Sequence, residues 1–286
     1  MTIYLGVRQL KKKVVAKFAA LAVCAAVTLL TGCTRRPADY FPENLAAQAQ
    51  SVAMICPIDA ARGDCDVYEV TEPAQVQAIC AALAQVQLTG STQYTAKTEP
   101  FHTESPQFRI AGVNGAAWMV TPTETGFSTD TFVYYDTDRD VALILDVVQQ
   151  IGTLQMTIPA DDVTRMVVVR AADGTETRSR IDDVQSAVEL ATSFAEVKYR
   201  PIEAESATQL RVFDAATSYQ FCMKNRDGTE SVRTVTIYDT RLLGDGESTD
   251  EVLVQTTDGR YFAVADDSAA LLQSARDQAA ALGRTE

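Results

Sequence analysis

Residues 166–197 read MVVVRAADGTETRSRIDDVQSAVELATSFAEV, and residues 55–86 read ICPIDAARGDCDVYEVTEPAQVQAICAALAQV. Offset by 111 residues, the two stretches follow one plan. Each opens on an apolar strand pattern, with Met54, Ile55 and Cys56 in one and Met166, Val167, Val168 and Val169 in the other, and each turns at a glycine, Gly63 or Gly174. A second strand then leads into a helix. The first helix follows Thr71 with Glu72 and Pro73, and the second follows Asp182, both good N-terminal signals. The apolar positions correspond: Val76 with Ala187, Ile79 with Leu190, Leu83 with Phe194, and Val86 with Val197. That spacing gives each helix one buried stripe.

Outward from this pair the two halves agree more loosely. Phe108 to Ile110, Ala117 to Val120 and Phe132 to Tyr135 read as strands of the first half. The second half offers Leu210 to Phe213, Tyr219 to Met223, Val232 to Tyr238, Val252 to Gln255 and Tyr261 to Val264. Turn signals lie at VNGA, NRDG and TTDG. Closing helices are predicted at Asp140 to Gln150 and Ser268 to Leu282, and IGTLQMTIP, with Gly152 and Pro159, reads as the joint. The expectation is an α+β fold of two similar tandem units, each an antiparallel sheet packed with helices, over residues 51–152 and 153–286. The alternative is a chance likeness of common hairpin and helix patterns inside one continuous domain.

The start of the chain has a different character. Arg8, Lys11, Lys12, Lys13 and Lys17 precede an apolar run from Phe18 to Leu30, and Thr31, Gly32 and Cys33 follow. This is the order of a secretory signal over residues 1–32. The run falls short of the about 20 apolar residues a membrane-spanning helix needs. Leu30, Thr31, Gly32 and Cys33 resemble the lipobox of bacterial lipoproteins. The resemblance implies cleavage before Cys33, a diacylglycerol (palmitate-type) anchor on its thiol, and an extracytoplasmic protein held on the cell membrane, or on an outer membrane if the host has one. Two or three acyl chains, at about 0.8 kcal/mol per buried methylene, hold far more firmly than one. Residues 33–50, with prolines and mixed charge, read as a tether.

The chain has 25 basic and 38 acidic residues; removing the five basic residues of the signal leaves 20 against 38, a net charge of −18. Such a surface repels nucleic acid and anionic headgroups. With Cys24 lost in the signal and Cys33 lipidated, Cys56, Cys65, Cys80 and Cys222 remain. Outside the cytoplasm they allow three connectivities if all are bridged, and Cys56 with Cys65, flanking a turn, is the favoured pair. Cys80 and Cys222 fit a helix face and a strand as buried thiols.

Chemistry-bearing patterns are sparse. His102 is the only histidine and lies in the polar loop TEPFHTESP, and there is no GxSxG and no CxxC. Serine-hydrolase and zinc chemistry therefore have no support, and no cofactor or metal is expected. The stretch DTDRD, Asp136 to Asp140, starts like a calcium loop but offers Val141 and Val147 where glycine and glutamate are needed, so it reads as a helix start. DGESTDE, Asp245 to Glu251, reads as an acidic loop, and Trp118 in AAWMV as a core or helix-covered position. Arg62, Gly63 and Asp64 spell RGD, yet a hairpin turn accounts for Gly63; an integrin-binding assay insensitive to Asp64→Glu ends the adhesion idea.

Aromatic doublets point to binding. Strand side chains alternate, so one member of Tyr134/Tyr135 and one of Tyr261/Phe262 must face outward, marking these four as a candidate binding surface. The expected function is a non-enzymatic, lipid-anchored module that binds a protein or peptide as an accessory, sensor or inhibitor. Two alternatives stand beside it: a cell-wall hydrolase using carboxylates alone, and the substrate-binding lipoprotein of a transporter, whose usual parallel βαβ alternation fits these hairpins poorly.

Overall fold

The computed structural model describes residues 41–42, 44–59, 64–86, 88–93, 105–123, 126–129, 132–135, 140–202, 215–225, 227–238, 241–242, 248–249, 252–255 and 261–285. The signal, Cys33, Arg62, Gly63, His102, Leu210 to Phe213, the TTDG turn and most of DGESTDE lie outside the described residues. The architecture is α+β, with antiparallel strands and amphipathic helices. The described residues fall into two compact units: one holds those up to Ile55 and from Glu69 to Gln150, the other Cys56–Tyr68 and those from Ile151 onward.

In the first unit, after a helical turn at Leu45–Gln48, the chain forms β1 (Ala49–Asp59), β2 (Asp64–Val70), α1 (Pro73–Gln85), β3 (Gly90–Gln93), β4 (Gln107–Gly112), β5 (Ala117–Thr123), β6 (Gly126–Ser128), β7 (Phe132–Tyr135) and α2 (Asp140–Ile151). The β1–β2 hairpin straddles the division, its tip belonging to the second unit. The strand order is β2-β1-β4-β5-β6-β7-β3. Helix α1 starts because Pro73 suits the first turn and the Glu72 carboxylate accepts the Gln75 amide at 3.2 Å. It buries Val76, Ile79, Cys80 and Leu83. One face of the sheet supplies Phe108, Ile110, Val120 and Phe127 to the core, with Tyr134 stacked on Phe127 at 4.9 Å. Each such side chain contributes about 1.5–3 kcal/mol on leaving water. Gly112 is required: a Cβ there would lie 2.7 Å from the Trp118 ring, which packs across it.

The second unit contains β8 (Thr153–Gln155), β9 (Val163–Ala172), β10 (Thr175–Ile181), α3 (Val184–Ala195), β11 (Lys198–Pro201), β12 (Ala215–Lys224), β13 (Glu230–Tyr238), the short pair β14 (Arg241–Leu242) and β15 (Ser248–Thr249), β16 (Leu253–Gln255), β17 (Tyr261–Val264), α4 (Ala269–Leu282) and β18 (Arg284–Thr285). Its strands run β18-β10-β9-β12-β13-β16-β17-β11-β8, and β2, whose residues 64–68 belong to this unit, follows beside β8. The β9–β10 hairpin turns at Asp173 and Gly174, both with positive φ (51° and 72°), the backbone a two-residue type I′ turn demands. Helix α3 begins one residue later than the sequence suggests. Asp183, not Asp182, caps it, accepting the Ser186 amide at 2.9 Å and the Ser186 hydroxyl at 2.6 Å. Its stripe of Ala187, Leu190, Ala191 and Phe194 is buried, and Phe194 meets Tyr219 and Phe221 of β12 at centroid distances of 4.7 and 5.4 Å. The stretch that reads as the joint begins where the two units divide, and it carries a strand the sequence reading did not name: Leu154 of β8 pairs with Tyr199 of β11, and Leu154, Met156 and Ile158 are buried. An apolar residue at every second position is a strand signal that a flanking glycine and proline had masked.

Candidate binding face

In the second unit α3 covers the face of β12 that carries Tyr219 and Phe221, so the alternate residues of each strand point to the other face. Register fixes who stands beside whom there. Val169, Ser218, Thr236, Gln255 and Tyr261 form one row across β9, β12, β13, β16 and β17. Val167, Gln220 and Thr234 form the next. All eight are half-buried. The polar groups are organised among themselves: the Ser218 and Thr236 hydroxyls lie 2.9 Å apart, and the Tyr238 hydroxyl donates to Gln255 Oε1 at 3.0 Å. The Tyr238 and Tyr261 rings sit 5.9 Å apart, and partial burial together with Tyr261 pushes the Tyr238 hydroxyl up to about 12. It therefore stays a neutral donor through the physiological range.

Ion pairs flank this patch. Arg165 holds Glu230 through two hydrogen bonds of 2.9 Å, and Arg178–Glu176 and Arg180–Asp182 each close at 2.8 Å. Their charges largely cancel locally, so the patch is a neutral surface of hydroxyls, amides, valines and tyrosines. That mixture suits adaptable hydrogen bonding around amphipathic aromatic contacts.

Of the four aromatic candidates, two turn inward. Tyr134 stacks on Phe127, and Phe262, 3% exposed, lies 6.3 Å from Tyr68. Tyr135 is exposed on the first unit's β7 and Tyr261 half-buried on the second unit's β17; with Tyr134 and Phe262 buried, the four do not form one exposed surface. Ser218, Gln220, Thr234, Thr236 and Gln255 were not singled out from sequence. Their signal was present as polar residues alternating with Tyr219, Phe221, Val235 and Ile237.

Cys56 on β1 and Cys65 on β2 are half-buried, one on either side of the hairpin turn. Cys80 and Cys222 are buried free thiols, and burial pushes Cys80 up to about 11. Asp140 opens α2, in keeping with the helix-start reading of DTDRD. Among the described residues no group of three or more histidine, cysteine, aspartate or glutamate side chains converges on a metal-sized site.

A second cluster is buried inside the same unit. Arg233 of β13 donates through Nη2 to Asp66 of β2 at 2.5 Å, both side chains about nine-tenths buried or more. Tyr199 of β11 is fully buried; burial drives its hydroxyl far above the ordinary tyrosine value, with Arg233 opposing and Asp66 adding to the rise. The Tyr199 hydroxyl and Arg233 Nε have no hydrogen-bond partner among the described residues. With the carboxylate held by a guanidinium and the phenol kept protonated, the cluster is arranged to hold position rather than to move protons. Neither a family model, nor a curated protein, nor a solved structure matches the chain.

Proposed function

We propose that this is a lipid-anchored extracytoplasmic protein, tethered through Cys33, that binds a protein or peptide on the open sheet face of its second unit. The row Val169–Ser218–Thr236–Gln255–Tyr261 carries the reading: a helix covers one face of this sheet, while the other presents half-exposed tyrosine, hydroxyl and amide groups. We also propose that the folded body is two copies of one α+β unit. Three observations support it. The orders β2-β1-β4-β5-β6-β7-β3 and β10-β9-β12-β13-β16-β17-β11 are the same order of equivalent strands. Adding 111 to the bounds of β2 yields those of β10. The same shift takes the buried pair Phe108 and Ile110 of β4 onto Tyr219 and Phe221 of β12.

The test places a photo-crosslinking amino acid at Tyr261 on intact cells. A discrete protein adduct, lost when Thr236→Arg is added, supports the reading; labelling of lipid and wall alone overturns it. For the anchor, Cys33→Ala is expected to release or mislocalise the protein without unfolding it, and a variant that stays membrane-bound removes the lipobox reading.

A further inference from the structure

The two hairpins occupy equivalent places in the proposed units, yet they carry different chemistry. The shift of 111 sets Thr177 against Asp66 and Ser179 against Tyr68. Asp66 and Tyr68 are buried within the second unit, where Asp66 meets Arg233 and Tyr68 lies beside Phe262. Residues 170–178 of the β9–β10 hairpin are exposed throughout. The seats differ as well. Phe221 stands opposite Arg233, and its equivalent Ile110 stands opposite Trp118, so Trp118 occupies the place of Arg233 in the first unit.

We infer that the Asp66–Arg233 pair is a recognition key that admits the β1–β2 hairpin to its seat next to β8, where Asp66 reaches Arg233 of β13, and excludes the β9–β10 hairpin of a second copy of this chain. The inference rests on the two-unit reading above. A seat that any similar hairpin could enter makes a heterologous contact, which propagates from copy to copy into open-ended chains where it does not close into a ring, unless hairpin or seat is altered. Here both are altered. The second hairpin brings a threonine where a carboxylate is needed, and the first unit offers an indole where a guanidinium is needed. A buried ion pair suits this task because its net stabilisation is small, whereas a mismatched partner leaves one charge stranded in the interior. The fully buried Tyr199 and the surrounding core exclude the water that would otherwise relieve such a mismatch.

The test uses charge reversal in the full chain, with every sample in the same detergent. Asp66→Arg alone and Arg233→Asp alone are each expected to speed amide exchange in Cys56–Tyr68 by about 100-fold or more, the loss that follows from breaking a buried pair. The double reversal in one chain should regain the native protection. Mixing the two single variants should yield a one-to-one heterodimer, since each hairpin then finds its complement only in the other chain. Because a lone reversed charge can unfold the unit, the neutral pair Asp66→Leu with Arg233→Met supplies an independent reading. It should fold and self-associate more than the native chain, having lost the key but kept the packing. A double reversal that stays unprotected, a mixture with no heterodimer, or a neutral pair no more associated than the native chain would each overturn the inference. The photo-crosslink at Tyr261 reports on the open face alone, so the binding reading and the key can fail separately.

Discussion

The hairpins β1–β2 and β9–β10 have the same place in strand order and second strands of equal length, but β2 buries Asp66 and Tyr68 while residues 170–178 of the other hairpin face water. The difference lies in two side chains and in the outer edge of the second strand, which meets β8 in the first hairpin and the short β18 in the second. Asp66 and Tyr68 give the first hairpin a charge partner and an aromatic contact, while Thr177 and Ser179 give the second nothing that burial would reward. A hairpin is a backbone solution that many sequences reach; whether it is buried depends on what its alternate residues meet.

That contrast can be broken most severely at the ion pair. Asp66→Ala should cost about 3–5 kcal/mol by stranding Arg233, while Thr177→Ala at the equivalent place should stay within about 0.5 kcal/mol, both read from urea midpoints. Equal costs would erase the distinction. Tyr68→Ala should also cost about 3–5 kcal/mol, through the cavity left against Phe262, and Ser179→Ala far less. At the exposed tip the backbone matters more than the side chains: Gly174→Ala, at φ 72°, should cost about 1–2 kcal/mol, measured by thermal unfolding.

The smallest effect sits where the second hairpin hands over to α3. Hydrogen bonds from Ser186 hold the Asp183 carboxyl below its ordinary value. A carboxylate whose folded value is depressed contributes stability above its unfolded value, near pH 4, and loses that contribution as acid carries the solution down through the folded value. Asp183→Asn should therefore flatten the acid limb of the stability profile while changing little at neutral pH, and an unchanged acid limb would remove the cap from the account.

Legibility followed the range of the interactions. The stripes Val76, Ile79, Leu83 and Ala187, Leu190, Phe194 were readable because helical periodicity is local, and all six are buried. Alternation also announced that each aromatic doublet would divide, but it is indifferent to which member goes inside. Tyr134 and Phe262 turned inward because Phe127 and Tyr68 lie on that side. Strand β8, with Leu154, was not named because a glycine and a proline near a short apolar alternation read only as the joint between the halves. The open face went largely unread because serine, threonine and glutamine on a strand look like ordinary solvent-facing residues until register sets them in rows.

By itself the sequence determined the amphipathic helices, most of the described strands, the α+β class and the expectation of a lipid anchor, since each follows from neighbours within one turn, one strand or one short motif. Tertiary structure alone decided that Asp66 meets Arg233, 167 positions away in the chain, and that Val169, Ser218, Thr236, Gln255 and Tyr261 share one row. Those pairings depend on strand register and on which face a helix covers, and residues distant in sequence acquire both only when the sheet assembles.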